Sequence, residues 1–216
     1  IMKNITTATA VTSNGFPAPA GLSSSRNSDL LQATLPLGSP IFSNPLLFNN
    51  IFWDNRAGTW NGTFVSGIGM TGDLTPIYNW DLGVADGTGL LSPTNSILQV
   101  DTGTILDGSN QYGVDPAVFA PYDTQLVVLP WRGHPRFVDT LLVAQELPIN
   151  LMGDYHILDG SPAKDTGAAS KAATSAPAVD IDGEPRPADA GFDIGADEVV
   201  GLTADLSITK TDGLTT

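Results

Sequence analysis

The chain contains no cysteine, which excludes a disulfide framework and every thiolate metal site. Basic residues are scarce as well, with nine Lys and Arg against 23 Asp and Glu and a formal net charge of −14. No basic stripe is left to meet phosphates, so nucleic acid is not expected as a partner. Charged residues make up only 15% of the chain, while Gly and Pro number 23 and 16. Strong helix formers are therefore too few for a helical protein. Glutamate is nearly missing, with three against 20 aspartates; aspartate suits turns and oxygen-rich cation sites. No apolar run reaches the ~20 residues of a transmembrane helix, so no membrane insertion is expected. The opening IMKNITTATAV is neither a start methionine nor a signal-peptide pattern.

What is present is a chain of 216 residues, 41% of them hydrophobic, enough for one sizeable domain or one long solenoid. Its most organised stretch is 153–198: GDYHILDGSPAKDTG, a small-residue spacer, DIDGEPRP, then GFDIGADE. Asp159-Gly160, Asp182-Gly183 and Ile194-Gly195 carry turn chemistry. Very short apolar runs at 155–158 and 192–194 sit between these turns and read as short strands. The order DYHxLxGSPAxDxG, DIDGxPRP, GxDIGAxE resembles the choice-of-anchor Q domain. That resemblance implies the C-terminal end of a right-handed parallel β-helix on a secreted bacterial surface protein. Lys164 departs from the family, where an aliphatic residue is more usual, and so predicts a more exposed position. Residues 204–213, ADLSITKTDG, resemble the first strand of the Ig-like repeats that often follow such β-helices. The expected organisation is thus a parallel β-helix fragment over 1–200, pectate-lyase-like with irregular loops and capped by 153–198. Residues 201–216 are read as a linker and the start of a following repeat, the whole being a segment of a larger precursor.

The rest of the chain offers short strands in turn-rich surroundings. Residues 1–40 are rich in Thr, Ser, Ala, Pro and Gly, with a strand expected over 6–11, a loop over 14–28 and another short strand over 30–37 before Pro36 and Pro40. In LLFNNIFWDN, period two places Leu47, Asn49, Ile51 and Trp53 on one face and Phe48, Asn50 and Phe52 on the other. A strand apolar on both faces with an Asn-Asn step reads either as a β-helix rung with asparagine ladders at its turns or as a buried sandwich strand. Further runs lie at 63–65, 76–82, 96–100, 125–129 and 137–143. Stretches 80–98 and 120–139 also resemble the family's final coils. Pro45, Pro116 and Pro135 each precede a Phe at unequal separations, so no regular solenoid repeat is present. The best helix candidate, at 162–173, is limited to a turn or two by Gly167 and Pro177.

Candidate chemistry is thin. Asp180, Asp182 and Glu184 place oxygens at i, i+2 and i+4 about a glycine turn. They read either as part of a Ca²⁺ loop, with Asp193, Asp197 or Glu198 completing it, or as a plain Asp-Gly turn with Arg186 paired to a nearby acid. Trp131, Arg132, His134 and Arg136 form the one basic and aromatic cluster. They suit either contact with an acidic sugar or surface salt bridges. His134 and His156 are spaced for stacking, but a metal site needs further ligands; His156, between Tyr155 and Ile157, reads as a structural strand residue. Ser161 lacks the strand-elbow-helix setting of a hydrolase nucleophile, and no phosphate loop is present. Asn4 and Asn61 open sequons for glycans, and the Ser/Thr-rich stretch 6–28 is open to O-glycans.

Two functions follow. The first is a non-enzymatic extracellular structural or adhesive module of a large bacterial surface protein, a subunit or decoration of a surface fibre or layer, with other protein subunits or surface polysaccharide as partners. The second is a carbohydrate-active β-helix, a lyase or hydrolase of acidic polysaccharide, which requires carboxylates and arginines clustered in a groove.

Overall fold

Short apolar runs punctuated by glycine and aspartate give short strands, and strands far outnumber helix in the computed structural model of this chain. It describes residues 1–6, 16–61, 65–70, 72–122, 124–130, 140–146 and 153–201. In chain order the elements are β1 (Ile5–Thr6), β2 (Leu22–Ser24), α1 (Asp29–Thr34), β3 (Ile51–Phe52), β4 (Arg56–Ala57), β5 (Thr59–Trp60), β6 (Val65–Ser66) and β7 (Leu82–Val84). These are followed by β8 (Ile97–Leu98), β9 (Gln111–Tyr112), β10 (Val118–Ala120), β11 (Thr124–Pro130), β12 (Thr140–Glu146), β13 (Asp154–Ile157), β14 (Ser170–Lys171) and β15 (Thr174–Ser175). The class is all-β, in several small, open sheets.

The sheets fall into two kinds. Parallel pairing joins β1 to β4, β2 to β7, and β3 to β8 to β9. Antiparallel pairing joins β5 to β6, β10 to β13, β11 to β12, and β14 to β15. The parallel set follows the side-chain pattern of NNIF. In β3 Ile51 and Phe52 point to opposite sides of the strand, and β8 repeats this with Ile97 and Leu98 in register, Ile51 opposite Ile97 and Phe52 opposite Leu98. Each two-residue strand therefore feeds two cores. Phe52 and Leu98 pack with Leu47, Leu82, Val84 and Leu91; Ile51 and Ile97 pack with Ile157, Ala163 and Ile194. At ~1.5–3 kcal/mol per buried large apolar side chain, these two clusters hold the parallel strands β3 and β8 against their neighbours.

A column of polar groups keeps the parallel strands in register. Each residue preceding a strand bonds to its counterpart in the next: the Asn50 amide donates to Ser96 Oγ across 46 residues at 3.1 Å, and the Ser96 amide donates to Asn110 Oδ1 across 14 residues at 3.0 Å. Asn49 and Asn95 form the adjoining corner. Both have positive φ, 54° and 44°, a conformation asparagine tolerates better than most residues. The Asn49 amide donates to the Asn95 carbonyl at 3.1 Å. The Asn49 kink also explains why strict alternation fails along LLFNNIFWDN: Leu47 enters the first core and Ile51 the second, although period two places them on one face. A second polar knot is fully buried. Asn55 Nδ2 donates to Asp81 Oδ1 at 2.8 Å, and Asp81 Oδ2 accepts the amides of Gln99 and Val100 at 2.7 and 3.2 Å. Burial pushes the Asp81 carboxyl up, against these hydrogen bonds.

Several local expectations are replaced. The stretch 30–37 is not a strand: Ser28 caps α1, its Oγ accepting the Leu31 amide at 3.2 Å with Asp29 in the first turn, and Pro36 follows closely. The stretch 162–173 forms turns and β14 rather than a helix. Its carbonyls and amides are taken by other segments, with the Ile194 amide donating to the Ala163 carbonyl and the Gly167 amide to the Phe192 carbonyl. Lys164 is not exposed: its side chain is 17% accessible and pairs with Asp159 and Asp189 at 2.6 and 3.3 Å. Within 120–139, β11 pairs antiparallel with β12 over seven residue pairs, a hairpin rather than another parallel layer. The strand expected over 6–11 and the whole of 204–213 lie outside the described residues beyond Thr6.

Candidate functional site

Residues 153–201 close against the second core, and their acids bond first to their own backbone. Asp193 Oδ1 and Oδ2 accept the amides of Asp165 and Val199 at 2.6 and 2.7 Å. Glu198 Oε1 accepts both Arg186 Nε, at 2.6 Å, and the Asp193 amide, at 2.9 Å. Arg186 completes its fork on the carbonyls of Gly195 and Asp193 at 3.1 and 2.8 Å. The nearby acid expected for Arg186 is therefore Glu198. Burial pushes the Asp193 carboxyl up despite its amide bonds.

One cluster in this region faces outward. Along β13, alternation sets Asp154 and His156 on one face while Ile157 enters the core. Asp154 Oδ1 accepts the backbone amide of His156 at 3.1 Å and also contacts its ring Nδ1. The other ring nitrogen, Nε2, lies 2.5 Å from Asp182 Oδ2. Asp182 is presented by a tight turn in which Asp180 Oδ1 accepts the amides of Asp182 and Glu184 at 2.9 and 2.8 Å; Gly183 supplies the positive φ of 88° that the turn needs. Asp197 approaches from the final turn, its Oδ2 accepting the Ile157 amide at 2.8 Å. Donor atoms of His156, Asp182 and Asp197 all lie within 4.8 Å of one another. His156 and Asp182 are half-exposed and Asp197 is buried.

Charge dominates this cluster. Hydrogen bonds to Asp182 and then Asp154 push the His156 imidazole up to about 9, so it is an imidazolium at neutral pH. His156, bonded at both ring nitrogens, holds the Asp154 carboxyl below the usual carboxylate range. The arrangement can hold a proton between carboxylates or, with the proton displaced, present one nitrogen and two carboxylate ligands to a cation.

Of the three residues expected for calcium, only Asp182 joins this group. Partial burial works against the charge on Asp180, but the amides of Glu184, Asp182, Glu198 and Gly183 outweigh it and hold the carboxyl low. Glu184 is exposed and enters the turn through its backbone. Trp131, Arg132, His134 and Arg136 lie outside the described residues. Asn4 is exposed overall, yet its side-chain amide donates to buried Asn55 at 3.1 Å; Asn61 is exposed. His156 was legible as a strand residue but not as a junction. The available signal was the spacing of Asp154 and His156, two apart and hence on one face. What delivers Asp182 and Asp197 is tertiary.

A cleft of about 950 Å³ adjoins the cluster, bordered by Phe48, Ile51, Val118, Tyr155 and Ile181. The charged side chains lining it among the described residues, Asp180 and Arg186, are those already bound internally. No helix among the described residues is long and apolar enough to cross a membrane. Comparison of the chain with protein-family models, with curated proteins and with solved structures finds no match.

Proposed function

We propose that the chain is a non-enzymatic structural or adhesive module of a large extracellular bacterial surface protein, built as an irregular right-handed parallel β-helix whose end is closed by 153–198. The observation that carries this reading is where the carboxylates point. Asp81, Asp180, Asp193, Asp197 and Glu198 each accept main-chain amides, which suits acids recruited to fix irregular turns. A glycosidase instead needs two carboxylates free to face a substrate. The parallel pairings of β3, β8 and β9, with their column of Asn50, Ser96 and Asn110, support a stacked solenoid. The unequal separations of 46 and 14 residues between its layers require loops of different length. The residues that resemble the choice-of-anchor Q domain provide the extracellular address.

Two assays on the purified full chain test this. Incubation with polygalacturonate and alginate should release neither new reducing ends nor unsaturated uronate; turnover of either polymer overturns the reading in favour of a carbohydrate-active enzyme. Assembly into higher-order species, followed by light scattering, should depend on 201–216, whose Leu206 and Ile208 alternate with polar residues as in a strand with one buried face. A truncation ending at Val200 that assembles as well as the full chain removes the strand-addition route.

A further inference from the structure

The proposed scaffold role accounts for the amide bonds of Asp180 and Asp197 but not for the His156 ring and the Asp182 carboxylate that meet beside them. We propose that His156, Asp182 and Asp197 form a binding site for a divalent transition-metal ion of the zinc class, with Asp154 as the outer partner that orients the histidine.

The donor set selects the ion class. Calcium is satisfied by ~6–8 oxygens, whereas here an imidazole nitrogen stands beside two carboxylates, a combination suited to zinc and its first-row neighbours. Ligands in a tetrahedral zinc site sit ~2.0–2.2 Å from the metal, which places their donor atoms roughly 3.4 Å apart by geometry. The three donors already lie within 4.8 Å of one another, and the 2.5 Å approach of His156 Nε2 to Asp182 Oδ2 opens by about 1 Å on the same geometry. Both side chains are half-exposed, and binding requires them to separate by that amount. Asp197 is the fixed ligand: it is buried and tied to the Ile157 amide, and a carboxylate that accepts one amide retains lone pairs for a metal.

Orientation of the ring is also provided. A metal-bound histidine usually donates its second N–H to a carboxylate, which fixes the tautomer. Asp154 contacts Nδ1, leaving Nε2 for the ion. Three protein ligands leave an open position for water. The ion would join three segments that are far apart in sequence, at residues 156, 182 and 197, and so would clip the C-terminal turns to β13.

The test uses the full chain without an oligohistidine tag, stripped of metal with chelator. Zn²⁺ is titrated calorimetrically and in thermal melts, with Ca²⁺ in parallel. One Zn²⁺ should bind per chain and raise Tm, because a ligand that binds only the native state stabilises it; Ca²⁺ in the same range should leave Tm unchanged. His156→Ala and Asp182→Asn should each lose the Zn²⁺-dependent shift, and Asp154→Asn should weaken binding by roughly 10–100-fold without abolishing it. Metal-free melts of the three variants check that each is folded. Co²⁺ bound to the wild-type chain should give visible absorption that is missing in His156→Ala. Zn²⁺ affinity unchanged in His156→Ala overturns the proposal. So does a Tm response to Ca²⁺ that matches the response to Zn²⁺, or the absence of any Zn²⁺ binding up to millimolar concentration.

Discussion

Arg186 and Glu198 are nearly inaccessible, with side chains 3% and 1% exposed, and 2.6 Å apart. A buried pair of this kind is costly to break from one side, because the remaining charge keeps its desolvation penalty without its counter-charge. Glu198 also accepts the Asp193 amide, and Asp193 in turn anchors Asp165 and Val199. Glu198→Gln should therefore destabilise the chain by ~3–5 kcal/mol, read as a drop in the urea midpoint. Exposed Glu184→Gln should stay within ~0.5 kcal/mol, since Glu184 contributes its backbone and not its carboxylate to the turn. Equal midpoints for the two variants would show that the pair is not structural. The sequence offered Asp193, Asp197 and Glu198 as acids that complete a calcium loop, or a nearby acid as the partner of Arg186. Local spacing does not say which amides lie within reach of these carboxylates. Residues 157, 165 and 199, which supply those amides, reach them through the tertiary fold.

At the scale of the element, the informative unit is the two-residue strand with the polar residue before it. Apolar residues on both faces of LLFNNIFWDN announced a strand buried on two sides, and its asparagines announced turns bonded to neighbouring backbone. The described residues show two cores fed by Ile51 and Phe52 and a corner where the Asn49 amide donates to the Asn95 carbonyl, without the strict alternation that period two predicts. The partner strands were less legible. The run at 96–100 was expected as a strand, but its pairing across 46 residues to β3 and its neighbour β9, 14 residues on, follow from no sequence period. The helix at 162–173 failed for a related reason. Alanine-rich composition favours a helix locally, yet Gly167 lies so close to the Asp193 and Phe192 carbonyls that an added Cβ would meet them at 2.7 and 2.8 Å, and tertiary packing decides. Ser96 sits in the middle of the polar column: its Oγ accepts from the Asn50 amide and donates to the Thr94 carbonyl, at 3.1 and 2.8 Å, and the residue is fully buried. Ser96→Ala leaves the part-buried Asn50 amide without its acceptor and should cost ~1 kcal/mol. Ser96→Thr, which keeps the hydroxyl, should recover part of that loss. If Ser96→Ala unfolds at the wild-type denaturant midpoint, the column does not hold the register.

For the whole molecule, the question is what residues 153–201 do for the parallel strands they cover. Ile157, Ala163 and Ile194 are buried against Ile51 and Ile97, and Val118 and Trp53 border the same cluster. The seal is tight at Gly195, where a Cβ would stand 3.1 Å from the Ile51 side chain and φ is 124°. In the stacked solenoid proposed above, an uncovered last layer exposes apolar surface and a terminal cap keeps the chain in solution. Deleting 178–198 removes Ile194, the Arg186 to Glu198 pair and the acceptors for the Ile157, Asp165 and Val199 amides in one step. The uncovered face of Ile51 and Ile97 then meets water, and the amides at 157 and 165 lose their bonds. The deletion variant should bind a hydrophobic dye strongly and should migrate as aggregates in size-exclusion chromatography with light scattering. It should do so despite the high negative charge of the chain, because like-charge repulsion between exposed groups is screened beyond ~8–10 Å at physiological salt while apolar contact acts at shorter range. Raising the salt from low to physiological concentration should increase that association. A deletion variant that remains monomeric, dye-silent and as cooperative in thermal unfolding as the full chain would show that 178–198 is an appendage and that the second core does not depend on Ile194.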